Sequence, residues 1–288
     1  MMIGLSLLTN NLISINQMRS IHALMSLLTV LLVFFFQGTS WSRANENEDL
    51  AIKSNHLGIN VNCGLASYRE DLVVPLGFHG IGLSLGVIYS RQTEKNLLNA
   101  RWRFGLGYMQ NRYDHEALIA VQEIRLSWLR KVTIPQHYGE FWGGICLPLQ
   151  MNNLFWASWD DAHLYWLTAY GMGAALQWQK KISSNNQAVV RMEIPVINWV
   201  SRPPRYRYTK QEPADQLTYH FSEPNKSLHF ETLDTYQALI VQVLFGKKVK
   251  RSLLNLGIEF QYNHFSKPED IWGLNTLFLF SYQWRIGS

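Results

Sequence analysis

The chain has 288 residues, of which 47% are apolar and 13% aromatic, enough for one large domain or two small ones and too apolar for a disordered chain. Its formal charge of +5 is modest and scattered over turns and one loop, so no nucleic-acid partner is expected. The two cysteines, Cys63 and Cys146, lie on different segments without CxxC or Cys/His spacing, so no metal or other cofactor is implied. A disulfide between them requires their segments to adjoin; otherwise both are small apolar fillers.

Residues 1–44 read as a signal peptide. Arg19 is a basic n-region, 23–36 (ALMSLLTVLLVFFF) is a short apolar stretch, and Ser42, Arg43 and Ala44 lead to cleavage after Ala44. An uncleaved anchor and a true start at Met18 are the alternatives. A short periplasmic segment, 45–54, follows, and then 55–288 as one domain.

From residue 55 onward the apolar period is two. Leu57, Ile59, Val61, Cys63 and Leu65 share one face, with His56, Gly58, Asn60, Asn62 and Gly64 on the other. The same alternation runs through Ile81, Leu83, Leu85, Val87 and Tyr89, and through Trp102, Phe104, Leu106 and Tyr108. About ten such segments follow, near 55–68, 78–91, 98–112, 117–131, 137–151, 161–179, 186–200, 230–246, 252–266 and 272–287. A soluble sandwich also alternates. Long strands, aromatic-rich apolar faces and the leader favour an all-β fold, an antiparallel transmembrane β-barrel of the outer membrane with about ten strands (about 8 to 12).

The links between segments agree. Every second one is short and often basic ("RQTEKN", "KVTIPQ", "KKISSNN", "GKKVKR"), whereas 200–227 is a long loop. Short periplasmic turns and longer external loops are the asymmetry of such barrels. The inward faces carry Arg101, Arg103, Glu123, Arg125, Arg191, Glu193, Glu259 and Arg285, which are expected to pair across the lumen as a polar plug. A general porin is therefore disfavoured.

His264 and Ser266 close the penultimate segment. They continue the lipid-facing row Leu254, Leu256, Ile258, Phe260 and Tyr262, while Asn255, Glu259, Gln261 and Asn263 face inward. The final hairpin loop is external, so the pair meets the outer leaflet. Side chains at i and i+2 lie on one face, roughly 7 Å apart at the backbone, so suitable rotamers bring the imidazole to the hydroxyl. A serine needs such a base to become nucleophilic. A second H-x-S, His220-Phe221-Ser222, lies in the long loop, so the bare pattern is weak.

The stretch "YNHFSKPEDIWGLNTLFLFSYQW" resembles the C-terminal end of the outer-membrane lipid A 3-O-deacylases of the PagL type, and more distantly outer-membrane phospholipase A. The resemblance covers about the last 30 residues and the barrel pattern. It implies His264 as base and Ser266 as nucleophile, although Lys267 stands where these families usually have Asn, and the following loop is shortened. The third residue stays open: Asn275 is the nearest match by resemblance, Asp270 shares the outward parity, and Glu269 is a further option.

The expected function is accordingly a serine-type carboxylic ester hydrolase of the outer membrane, removing an ester-linked acyl chain from lipid A of lipopolysaccharide. The backbone N–H of Lys267 or Gly273 is the expected oxyanion donor. Arg202, Arg205, Arg207, Lys210 and Lys267 are candidates to bind lipid A phosphates, or else belong to an ordinary solvated loop. The expected partners are lipid A and other outer-membrane lipids; a homodimer is left open, and activity on dimerisation would favour the phospholipase reading by analogy with that family. A phospholipase and a non-enzymatic barrel, adhesin or structural, using the 200–227 loop are the other readings.

Overall fold

The computed structural model describes residues 54–70, 76–133, 138–156, 163–202, 228–267 and 270–286. The expected leader, residues 1–44, lies outside them. Eleven strands follow in chain order: β1 (Ser54–Glu70), β2 (Leu76–Gln92), β3 (Asn96–Gln110), β4 (Glu116–Val132), β5 (Glu140–Trp156), β6 (His163–Lys181), β7 (Asn186–Ser201), β8 (His229–Thr232), β9 (Tyr236–Val249), β10 (Ser252–Phe265) and β11 (Ile271–Arg285). Each long strand pairs antiparallel with its chain neighbours. The sheet closes where β1 meets β11, from His56 opposite Arg285 to Arg69 opposite Trp272. Closure leaves no long edge unpaired, which a bilayer requires because its core has no water to satisfy free backbone groups.

Alternation decides which side chains face where. Ile81, Leu83 and Leu106 are at least 60% exposed, and Trp102, Phe104, Trp128, Phe278 and Phe280 also point outward. So much exposed aliphatic and aromatic surface is stable only against lipid. The opposite rows hold Asn60, Asn62, Ser84, Arg103, Glu123, Arg125, Glu259 and Gln261, all buried in the lumen. Cys63 is exposed and Cys146 buried, both are free thiols, and β1 and β5 are not neighbours.

The lumen is filled in layers. Towards one end, Tyr68, Phe78, Met109, Leu154, Leu167, Val200, Tyr236, Phe265 and Ile271 pack into an apolar plug. Below it Glu259 accepts hydrogen bonds from Arg101 at 2.7 Å, Arg103 at 3.2 Å, Gln242 at 3.2 Å and Gln261 at 2.6 Å. Arg125 adds a further contact to Glu259 at 3.2 Å, and Glu123 pairs with Arg101, Arg103 and Arg125. Buried charges persist only when paired in this way. Arg191 pairs with Glu193 at 2.5 Å. Arg285, expected in this network, is instead exposed at the end of β11, because the strand finishes at the barrel rim.

Glycines let the inward rows approach closely: a Cβ at Gly80 would lie 1.9 Å from the carbonyl oxygen of Tyr108. On β7, Pro195 lacks a ladder N–H, and the register steps from Gly173 opposite Pro195 to Met172 opposite Ile197. The extra residue, Val196, forms a bulge that accommodates the proline.

The expected continuous strand 230–246 is interrupted. β8 pairs with the end of β7 at Ile197–Val200, and β9 rejoins β7 only where Ile240 meets Glu193. Between them Leu233–Thr235 form a turn in which Thr235 N–H donates to Thr232 O at 3.0 Å. Asp234, a turn former, sits at its tip, and the Thr235 hydroxyl also donates to the Glu231 carboxylate. The turn breaks the ladder beside the end of β10.

Candidate functional site on the outer wall

β10 carries its alternation to its last residue. Gln261, Asn263 and Phe265 are buried inward, while Tyr262 and His264 are partly exposed on the outer face. Phe265 meets the ring of Tyr236 edge-on at 6.2 Å, and the Arg202 guanidinium lies 5.6 Å from the Phe265 ring centre. These contacts hold the strand end against the apolar plug.

The chain then leaves the sheet between two backbone anchors. Ser266 N–H donates to the carbonyl of Thr235 at 3.0 Å, which is available because the interruption of β9 frees it from the ladder. One residue on, the carbonyl of Lys267 accepts from Nη1 of Arg202 at 2.7 Å. Arg202 is buried, so it meets the loop from inside the wall. Arg205, Arg207, Lys210 and the second H-x-S at His220 and Ser222 lie outside the described residues, as does Glu269.

His264 stands on the outer face between its ladder partners Gln237 on β9 and Trp272 on β11. Its Nε2 is 3.2 Å from Oδ1 of Asp270, across the short turn of the hairpin. A carboxylate there accepts Nε2–H and leaves Nδ1 as the basic nitrogen. Asn275 faces the lumen, where its Nδ2 donates to Gln261 Oε1 at 3.4 Å. It is thus on the other side of the wall from His264, because no bulge shifts the parity of β11.

Ser266 and His264 are not hydrogen-bonded to each other. The Ser266 hydroxyl donates to Thr235 O at 3.4 Å, a long contact that competes with the expected approach to the imidazole. Gly273 lies within the ladders, opposite Asn263 and Tyr68, and is buried, which removes it as an oxyanion donor. Among the described residues no backbone carbonyl accepts the Lys267 N–H. The Lys267 side chain is exposed, its Nζ 4.0 Å from Glu231. Among the described residues no cluster of three His, Cys, Asp or Glu side chains could hold a metal ion.

Sequence reasoning did not find Thr235 or Gln237. Thr235 acts through its carbonyl, which no side-chain pattern reveals. Gln237 is a polar residue at the start of an outward row that continues with Leu239, Val241, Val243 and Phe245, and could have been found by extending the parity of β9 to its start.

Comparison with known proteins bears on the fold. No family model matches the chain, and no curated protein sequence matches it. Among solved structures, the outer membrane protease OmpT from Escherichia coli matches with a TM-score of 0.50 at 8% identity, over 86% of this chain and 100% of that one. The translocator domain of the autotransporter NalP from Neisseria meningitidis matches with a TM-score of 0.40 at 9% identity, over 93% and 98%. The β domain of the Bordetella autotransporter Brka matches with a TM-score of 0.40 at 10% identity, over 81% and 100%.

The closed wall, the apolar exterior and the ion-paired lumen define a ten-stranded outer-membrane β-barrel. The similarity extends to that class of barrel and not to the lipid A deacylases in particular.

Proposed function

We propose that the chain is an outer-membrane lipid esterase that removes an ester-linked acyl chain from lipid A, with Ser266 as nucleophile, His264 as general base and Asp270 as the residue that orients the imidazole. The observation that carries the reading is the outward-facing His264 ring hydrogen-bonded to Asp270, with Ser266 two residues on, just past the end of β10. An acid–imidazole pair at the end of the outward row of β10 suits an acyl ester reached from the membrane.

The chemistry follows from the geometry. Rotation about the Ser266 Cα–Cβ bond exchanges the long Thr235 contact for the imidazole. The hydroxyl oxygen attacks the ester carbonyl as its proton passes to His264. The alcohol leaves with that proton, and water, deprotonated by the same imidazole, releases the fatty acid. Lys267 N–H is the oxyanion donor, and the carbonyl of the same residue is pinned by Arg202. Lipid A is the preferred substrate because external-leaflet lipid lies nearest this end of the barrel.

The Ser266–Thr235 contact favours a second reading, in which Ser266 merely anchors the hairpin of a non-enzymatic barrel. Fatty-acid release from purified lipid A in detergent micelles separates them. Release by the intact protein, abolished in Ser266→Ala with the barrel still folded, supports the esterase; equal fatty-acid signals with and without protein would end it.

A further inference from the structure

A serine–histidine pair that is already hydrogen-bonded stands elsewhere on the outer wall. Ser67 on β1 and His79 on β2 are direct cross-strand partners, and Ser67 Oγ lies 2.9 Å from His79 Nδ1. Their inward neighbours, Tyr68 and Phe78, are buried in the apolar plug, so both side chains face out. Leu65 and Ile81, the next outward residues of the two strands, are 59% and 67% exposed. The pair therefore sits where the apolar band of β1 and β2 ends.

We propose that Ser67 and His79 form a second nucleophile–base pair, directed at acyl esters of membrane lipids other than lipid A at the membrane boundary. It is independent of His264 and Ser266, from which the wall separates it by β11: Ser67 is the ladder partner of Leu274, itself the partner of Tyr262 on β10.

Three observations support this. The hydroxyl-to-imidazole contact is short and needs no rotamer change, unlike that of Ser266. A polar pair at the end of two apolar outward rows has no packing purpose there, since neither side chain reaches the plug. His79 is exposed, so its ring can be reached by water or a leaving alcohol.

In the step proposed, Ser67 Oγ bonds to the ester carbonyl carbon and its proton moves to His79 Nδ1. The ester C–O bond breaks and the alcohol leaves with that proton. Water then attacks the acyl-serine, giving up a proton to His79, and the fatty acid departs with Ser67 regenerated.

The test is covalent labelling of the full-length barrel in detergent micelles with an alkyl fluorophosphonate, read by peptide mass spectrometry. It uses the intact protein, Ser266→Ala, His79→Ala and Ser67→Ala, each checked for a folded barrel by heat-modifiable gel mobility. The expected result is a phosphonyl group on Ser67 that persists in Ser266→Ala and falls at least tenfold in His79→Ala. With 4-nitrophenyl laurate, Ser266→Ala should keep hydrolysis that Ser67→Ala, added to it, removes. No adduct on Ser67 in the folded barrel, or an adduct indifferent to His79, would overturn the proposal. Either result leaves the reading of Ser266 to stand or fall on its own labelling.

Discussion

Nε2 of His264 lies 3.2 Å from Oδ1 of Asp270, across a hairpin turn on the outer wall of the barrel. The contact selects Asp270 over Asn275 as the partner of the imidazole, since Asn275 is bonded to Gln261 inside the lumen. Asp270→Ala should therefore lower ester turnover by on the order of 100-fold through loss of base orientation. Asn275→Ala should leave turnover within a few-fold. Initial rates of fatty-acid release from micellar lipid A check both, and the opposite order would return the role to Asn275.

Arg202 distinguishes positioning from headgroup binding. Its hydrogen bond to the Lys267 carbonyl fixes the residue after Ser266. Arg202→Ala should lower kcat by about tenfold or more, because small displacements of a reacting group are costly, with KM little changed. A rise in KM at constant kcat would instead assign the guanidinium to the lipid phosphate.

Glu259 is fully buried and faces three arginines, while Lys131 and Glu140 form an ion pair at the surface. Glu259→Gln leaves guanidinium charge uncompensated and should destabilise the barrel by roughly 3–5 kcal/mol. Lys131→Ala should cost at most about 1 kcal/mol, since both partners are some 40% exposed. Urea unfolding in lipid vesicles, followed by tryptophan fluorescence, measures both.

The layered lumen predicts electrical silence. Apolar side chains fill one end and the arginine–glutamate network the middle, so planar bilayers holding the protein should show no steady ion conductance. A stable open level of the size seen for porins would show that the plug does not fill the barrel.

Much of this architecture was legible because a membrane barrel enforces a strict two-residue period. Leu57 to Leu65, Ile81 to Tyr89 and Leu254 to Tyr262 all face outward as the alternation indicates, and the ten long segments appear with ends shifted by a few residues. Parity also placed His264 outside and Asn275 inside. What alternation does not carry is local backbone geometry. The turn at Leu233–Thr235 interrupts a segment that reads as continuous, and its freed carbonyl engages Ser266. Arg202 looks like a loop cation, but it lies one residue past β7 and is buried, so it reaches Lys267 from within. Ser67 and His79 were overlooked because they are 12 residues apart, and only strand pairing makes them neighbours.

The most direct measurement is mass spectrometry of lipid A from cells expressing the intact protein, Ser266→Ala, His264→Ala or Ser222→Ala, with folded barrel verified in the outer membrane. The account predicts loss of one acyl chain that requires Ser266 and His264 but not Ser222. An acyl pattern unchanged by the intact, folded protein, or one that Ser266→Ala still produces, would contradict it.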